Sequence, residues 1–137
     1  MKIVICGSMS ASKEMMGMKN ALEEVGHFVV VPKNTDKYAL GEFTPEDRRE
    51  STQNKIDHDL IREYFRLIEE NDVVIVANYD KRGVKNYIGG NSFLEAAFAH
   101  VLNKKLYFLN DIPEMIYTDE LVALQPIVLH GDLKKIV

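Results

Sequence analysis

Two short runs, Ile3-Val4-Ile5-Cys6 and Val73-Val74-Ile75-Val76-Ala77, are apolar at every position. A strand with one wet face alternates apolar and polar residues, so an unbroken, largely β-branched run describes a strand covered on both faces. Such strands belong to parallel sheets, where neighbours must be joined by long crossovers. Three more short runs extend the pattern: residues 27–31, closed by Pro32, residues 105–109 and residues 126–129.

Helical periods fill the gaps. Met15, Met18, Ala21, Leu22 and Val25 recur at the spacing of one helix face, Ser10 or Ser12 can cap its start, and Gly26 supplies a stop. Residues 33–50 are polar, contain Gly41 and Pro45, and hold no sustained period, which predicts an irregular excursion. Thr44 and Pro45 suit the cap and first position of a long helix striped by Ile56, Leu60, Tyr64, Leu67 and Ile68. A third helix is expected over residues 92–103, burying Leu94, Ala97, Phe98, Val101 and Leu102, and a short one over residues 119–124.

Five strands alternating with helices predict an α/β fold with a parallel sheet, and the expected arrangement is a flavodoxin-like three-layer sandwich of order 2-1-3-4-5. The length of 137 residues suits a single domain over residues 1–137. In that order the switch point lies between strands one and three, where ligands of open α/β sheets collect. The loop after Cys6 and the loop after Asn78 therefore meet there.

Charge and composition narrow the function. The net charge is −4 and the basic residues are scattered, which speaks against a nucleic-acid polymer as partner. No apolar run approaches the ~18 residues of a membrane span, and Met1-Lys2 leads straight into a strand without a signal peptide, so a soluble cytoplasmic protein is expected. Cys6 is the single cysteine, and His27, His58, His100 and His130 share no metal-ligand spacing; no metal and no cofactor is expected.

The chemistry-bearing residues cluster at the two loops. Gly7-Ser8-Met9-Ser10-Ala11-Ser12 ends at a helix N-terminus, which favours an anion such as phosphate. It lacks Gly-x-Gly-x-x-Gly and the second glycine of a P-loop, which disfavours NAD enzymes and ATPases. In residues 78–90, Tyr79 or Tyr87 can stack on a base, Lys81, Arg82 or Lys85 can meet phosphate, and Gly89-Gly90 permits close approach of a ligand. Asn78, at the strand end, joins the binding set. Glu95 then sits in the first turn of the next helix. Ser92-x-x-Glu95 matches a capping box, and the same carboxylate faces the crevice as a catalyst; both readings stand.

Cys6-Gly7-Ser8-Met9 after the first strand, Asp72-Val73-Val74-Ile75-Val76 as the third, and Gly90-Asn91-Ser92-Phe93-Leu94-Glu95-Ala96-Ala97-Phe98-Ala99 opening a helix resemble the nucleoside 2-deoxyribosyltransferase superfamily. That group includes 2′-deoxynucleoside 5′-monophosphate N-glycosidases. The resemblance implies a flavodoxin-like fold and a glutamate nucleophile, Glu95, that attacks C1′ and leaves a glycosyl enzyme for water or another base to resolve. It further implies sugar or phosphate contacts at Gly7, Ser8 and Met9, pocket positions at Gly89, Asn91 and Ser92, and a homodimer or larger homo-oligomer. Residues 111–117 and the C-terminal segment are the expected subunit contacts. Gly89 stands where deoxyribosyltransferases often carry an acid. A further family aspartate falls by ungapped counting on Tyr64, with Asp59 or Glu63 as substitutes for acid/base work. Two other readings remain: a non-catalytic nucleotide-binding or sensing module, and an enzyme resembling the cytokinin-type phosphoribohydrolases, whose Pro-Gly-Gly-x-Gly-Thr-x-x-Glu pattern Ile88-Gly89-Gly90-Asn91-Ser92-Phe93-Leu94-Glu95 does not meet.

Overall fold

Side-chain parity in the strands decides how the layers form. In β1 (Lys2–Cys6), Ile3 and Ile5 point to one face of the sheet while Val4 and Cys6 point to the other. The same split recurs in β3 (Val73–Val76), where Val73 and Ile75 oppose Val74 and Val76. Both faces of these strands are thus buried, as continuous apolar runs require. The computed structural model describes residues 1–44 and 48–136. Its sheet is completed by β2 (Phe28–Val30), β4 (Lys105–Phe108) and β5 (Ile127–Val128), all parallel, in the order β2-β1-β3-β4-β5. This is the expected α/β, flavodoxin-like three-layer sandwich, with β1 and β3 paired in register from Ile3 opposite Val73 to Cys6 opposite Val76.

Helix α1 (Ser12–Glu24) lays Met15, Met18 and Leu22 on the Ile3 and Ile5 face. It stops where Gly26 takes φ +96°, a left-handed conformation that glycine adopts without steric cost. It starts at Ser12, but its cap differs from expectation: Ala11 is the N-cap, Ser12 is buried inside the helix, and Ser8 caps a 3-10 turn over Met9–Ala11 instead. Residues 33–50 are also less irregular than their composition suggests, since Thr35–Ala39 forms a short helix, α2, that packs beside α1. Thr35 is fully buried and its hydroxyl donates to the Pro32 carbonyl at 2.5 Å, which fixes the turn that starts α2.

The long helix expected from residue 45 onward is two helices, α3 (Arg48–Asp57) and α4 (Leu60–Glu69). They part at Asp59, which adopts φ +51°. The reason lies in the apolar stripe. Leu60, Tyr64, Leu67 and Ile68 bury wholly or partly, whereas Ile56, the single aliphatic side chain of α3, is 69% exposed, so no packing carries the helix axis across the join. The helix start expected at Pro45 lies outside the described residues.

The second face carries α4, α5 (Gly90–Val101) and α6 (Thr118–Ala123) over Val4, Cys6, Val74, Val76, Leu106 and Phe108. Phe65 of α4 meets Phe98 of α5 edge to face at 5.4 Å. The inward face of α5 consists of Ser92, Glu95, Ala96 and Ala99. Leu94 and Val101, expected to be buried, are 37% and 72% exposed, because their phase on α5 turns them away from the sheet. Among the described residues no helix is long and apolar enough to cross a membrane.

Candidate functional site

Glu95 belongs to the second turn of α5, five residues beyond the first helical residue, Gly90. The capping box therefore does not form. Gly89 is the N-cap, extended at φ −79°, and no side chain caps the helix. Glu95 instead points inward, where it is 7% exposed and its Oε2 accepts a hydrogen bond from the Cys6 thiol at 2.9 Å. Burial pushes the Glu95 carboxyl up to about 7, and the Cys6 hydrogen bond offsets part of that rise. Burial likewise raises the Cys6 thiol well above its ordinary value, with the Glu95 charge adding to the effect, so Cys6 remains a protonated donor at neutral pH.

The two strand-end loops meet above this pair. Gly7 follows Cys6 and fits where a side chain would not: a Cβ there would lie 2.9 Å from Met15 Sδ and 3.2 Å from the Ala77 carbonyl. Ser8 Oγ accepts from the Ser10 hydroxyl at 3.0 Å and from Lys81 Nζ at 2.5 Å. A tight turn makes the second contact possible. Lys81 and Val84 exchange backbone hydrogen bonds of 3.0 and 2.9 Å across Arg82 and Gly83, both with positive φ, as the two central residues of a type I′ turn require. The turn lays Lys81 over the Tyr87 ring at 5.8 Å, and burial, then Arg82, lowers its ammonium pKa. Among the described residues no carboxylate forms an ion pair with Lys81.

The remaining expected site residues divide into several groups. Asn78 is fully buried and its side chain is spent as a brace: Nδ2 donates to the Asn110 and Asp111 carbonyls at 3.0 Å each, and Oδ1 accepts from the Asn110 amide at 2.9 Å. Met9 is half-buried against the α1 side of the core and its sulfur faces the Thr35 hydroxyl. Tyr79 turns inward too, with its hydroxyl 3.9 Å from Met18 Sδ, which leaves Tyr87 as the aromatic ring lying near Gly89. Ser92 is buried beside Glu95 on the inner face of α5, Asn91 is half-buried, and Gly90 opens onto free space. Asp59 and Glu63 are exposed on the α4 side, where Asp59 pairs with Arg62 at 2.9 Å.

Three contributors escaped the sequence reading: Cys6 as the partner of Glu95, Asn110 as the partner of Asn78, and Tyr117. The Tyr117 ring stacks on Phe93 at 4.7 Å and its hydroxyl donates to the Ile88 carbonyl, which ties the start of α5 to the loop after β4. For Cys6 a signal existed, since it shares strand parity with Val4 and thus the face on which α5 lies. Two surface hollows, one lined by Lys55, Ile56, Asp59, Ile61 and Arg62 and the other by residues around His100 and Lys105, involve neither Glu95 nor the loop after β1. Among the described residues no group of three or more His, Cys, Asp or Glu could hold a metal ion.

The arrangement is a proton-exchanging carboxyl at a sheet switch point, with a cationic and hydroxyl-bearing rim. A group titrating near neutrality can serve as acid, base or nucleophile. Compared with protein families, curated proteins and solved structures, the chain matches none.

Proposed function

We propose that the protein cleaves the N-glycosidic bond of a (deoxy)nucleoside or nucleoside 5′-monophosphate, with Glu95 as nucleophile. The observation that carries this reading is the placement of Glu95: a buried carboxyl with its pKa pushed to about 7, bonded to the end of β1 where the sheet order reverses. The resemblance of the Cys6-Gly7-Ser8-Met9 and Gly90 to Ala99 motifs to deoxyribosyltransferases supports it. Ser8 and Lys81 supply a hydroxyl and a cation without a carboxylate partner for a 5′-phosphate.

In the reaction, an ionised Glu95 oxygen bonds to C1′ while the C1′–N bond breaks, and the electron pair leaves with the base, which takes a proton from water. A second water then attacks C1′, the ester to Glu95 breaks, and the proton it releases neutralises the hydroxide left by the first step. A second base in place of that water makes the enzyme a transferase. Because Glu95 is 7% exposed, its surroundings have to open for the sugar to reach it. A reducing, cytoplasmic setting keeps the Cys6 thiol intact. Assembly as a homodimer or larger homo-oligomer belongs to the same reading, as the resemblance implies.

Incubation with a panel of ribo- and deoxynucleosides and their 5′-monophosphates, read as free base, tests the proposal. Release by the wild type, lost in Glu95→Gln, is the expected result; no release from any member overturns it. The near-enclosure of Glu95 and the exposure of Asp59 and Glu63 favour a second reading, a nucleotide-binding or sensing module. Saturable binding without base release identifies that module. Release confined to ribonucleoside monophosphates points instead to phosphoribohydrolase-like chemistry.

A further inference from the structure

A buried cysteine in a strand is ordinarily a small apolar filler. Cys6 does more than fill space, because its sulfur lies 2.9 Å from a carboxylate oxygen contributed from 89 residues away. We infer that Cys6 is a positioning residue for Glu95: its thiol proton fixes Oε2 and leaves the other oxygen as the one presented to a sugar. This rests on the reading of Glu95 as the reacting group.

Three features support the assignment. First, β1 and α5 hold both partners rigidly: Cys6 is fully buried at the end of a central strand, and Glu95 shares the inner face of α5 with Ala96 and Ala99, both fully buried. Small side chains at those positions bring the helix backbone close to the sheet and allow a carboxylate to reach a strand residue. Second, the thiol donates toward the carboxylate, so it favours the ionised form that the nucleophile needs. Third, Cys6 is the side chain that acts on the Glu95 carboxyl, and most other titratable groups around α5 are exposed or lie elsewhere. β3 brings none; on β4, Lys105 is exposed and Tyr107 lies in the core on the opposite face of the sheet. On α4, Arg62, Glu63, Arg66 and Glu69 are exposed and Tyr64 is half-buried, and His100 of α5 is exposed. Asp119 and Glu120 of α6 are exposed, Tyr117 is bonded to the Ile88 carbonyl, and Tyr87 lies beneath Lys81. Cys6 is the titratable group found in direct contact.

The test reads the thiol–carboxyl coupling without using activity. The side-chain carboxyl carbon of Glu95 is titrated by NMR in glutamate-labelled wild type, Cys6→Ala and Cys6→Ser, with Glu95→Gln assigning the resonance. Loss of a donor to a charged acceptor is expected to lower the ionisation constant of Glu95 about tenfold or more in Cys6→Ala, moving its midpoint up, while Cys6→Ser restores it. The S–H stretching band of otherwise unaltered protein should shift when Glu95 becomes Gln or is protonated, which keeps the test open if Cys6→Ala fails to fold. An unmoved midpoint in Cys6→Ala, a Cys6→Ser midpoint equal to that of Cys6→Ala, or an S–H band insensitive to Glu95 overturns the inference. Absence of base release with the coupling intact overturns the glycosidase reading alone. Where release is observed, the acid limb of its pH profile is expected to move with the NMR midpoint across the same variants.

Discussion

Replacing Glu95 with Gln keeps the side chain's shape and an oxygen acceptor for Cys6 while removing its ability to ionise. In the unfolded chain a glutamate titrates near 4.5, and in the fold burial pushes Glu95 to about 7. Below pH 4.5 the carboxyl is neutral in both states and its burial costs nothing extra. As the pH rises between these values the unfolded state releases a proton that the folded state retains, so stability falls; above about 7 the penalty is complete. At about 1.4 kcal/mol per pH unit, the span from 4.5 to about 7 amounts to ~3 kcal/mol. Glu95→Gln is therefore expected to be more stable than wild type by about 3 kcal/mol at pH 8 to 9, and to converge toward it near pH 4.5. For a chain of this size that is roughly 10 °C in Tm. Thermal melts of both proteins from pH 4.5 to 9, followed by circular dichroism, measure the difference. Two curves that stay parallel across this range would show that Glu95 is solvated rather than buried against Cys6, and would refute the argument along with the geometry behind it.

Three other perturbations follow from contacts described above. Asn78→Ala leaves the Asn110 amide and the Asn110 and Asp111 carbonyls without their buried partner, so a loss of about 3 kcal/mol is expected in urea melts with little change in m. Gly7→Ala places a methyl group against Met15 Sδ and the Ala77 carbonyl; Met15 can shift but the strand carbonyl cannot, and a cost of about 1–3 kcal/mol is expected in the same assay. Lys81→Met removes the cation at Ser8 and is expected to weaken binding of nucleoside 5′-monophosphates about tenfold, as measured by calorimetry, while leaving the affinity for the corresponding nucleosides unchanged. Equal weakening for both ligands would place the phosphate elsewhere.

The elements that were legible in the sequence are those whose signal is a local period. The apolar runs at Ile3 and Val73 announced doubly covered strands and a parallel sheet, and the sheet has the expected 2-1-3-4-5 order, which the crossovers alone do not dictate. Elsewhere local and tertiary signals diverge. The α3 to α4 boundary has no glycine or proline and is made by Asp59 in a left-handed conformation, a state that aspartate tolerates better than most residues but that no sequence period marks. Ser92 and Glu95 carry the spacing of a capping box, yet the helix starts at Gly90, and that shift moves both residues from the cap to the inner face.

The candidate site separates in the same way into what each segment knows about itself and what two segments know together. That Cys6 shares a face with Val4 follows from strand parity, and that Glu95 shares a face with Ser92, Ala96 and Ala99 follows from helical phase. Neither statement says that the two side chains meet. Their contact spans 89 residues and the Lys81 to Ser8 contact spans 73, and both depend on β3 lying beside β1 so that the segment after each strand ends over the other. A residue's chemistry could thus be nominated from one stretch of sequence, whereas its protonation could not. The same glutamate at the cap would keep an ordinary carboxylate pKa in solvent; carried one turn inward against a thiol, it titrates near neutrality.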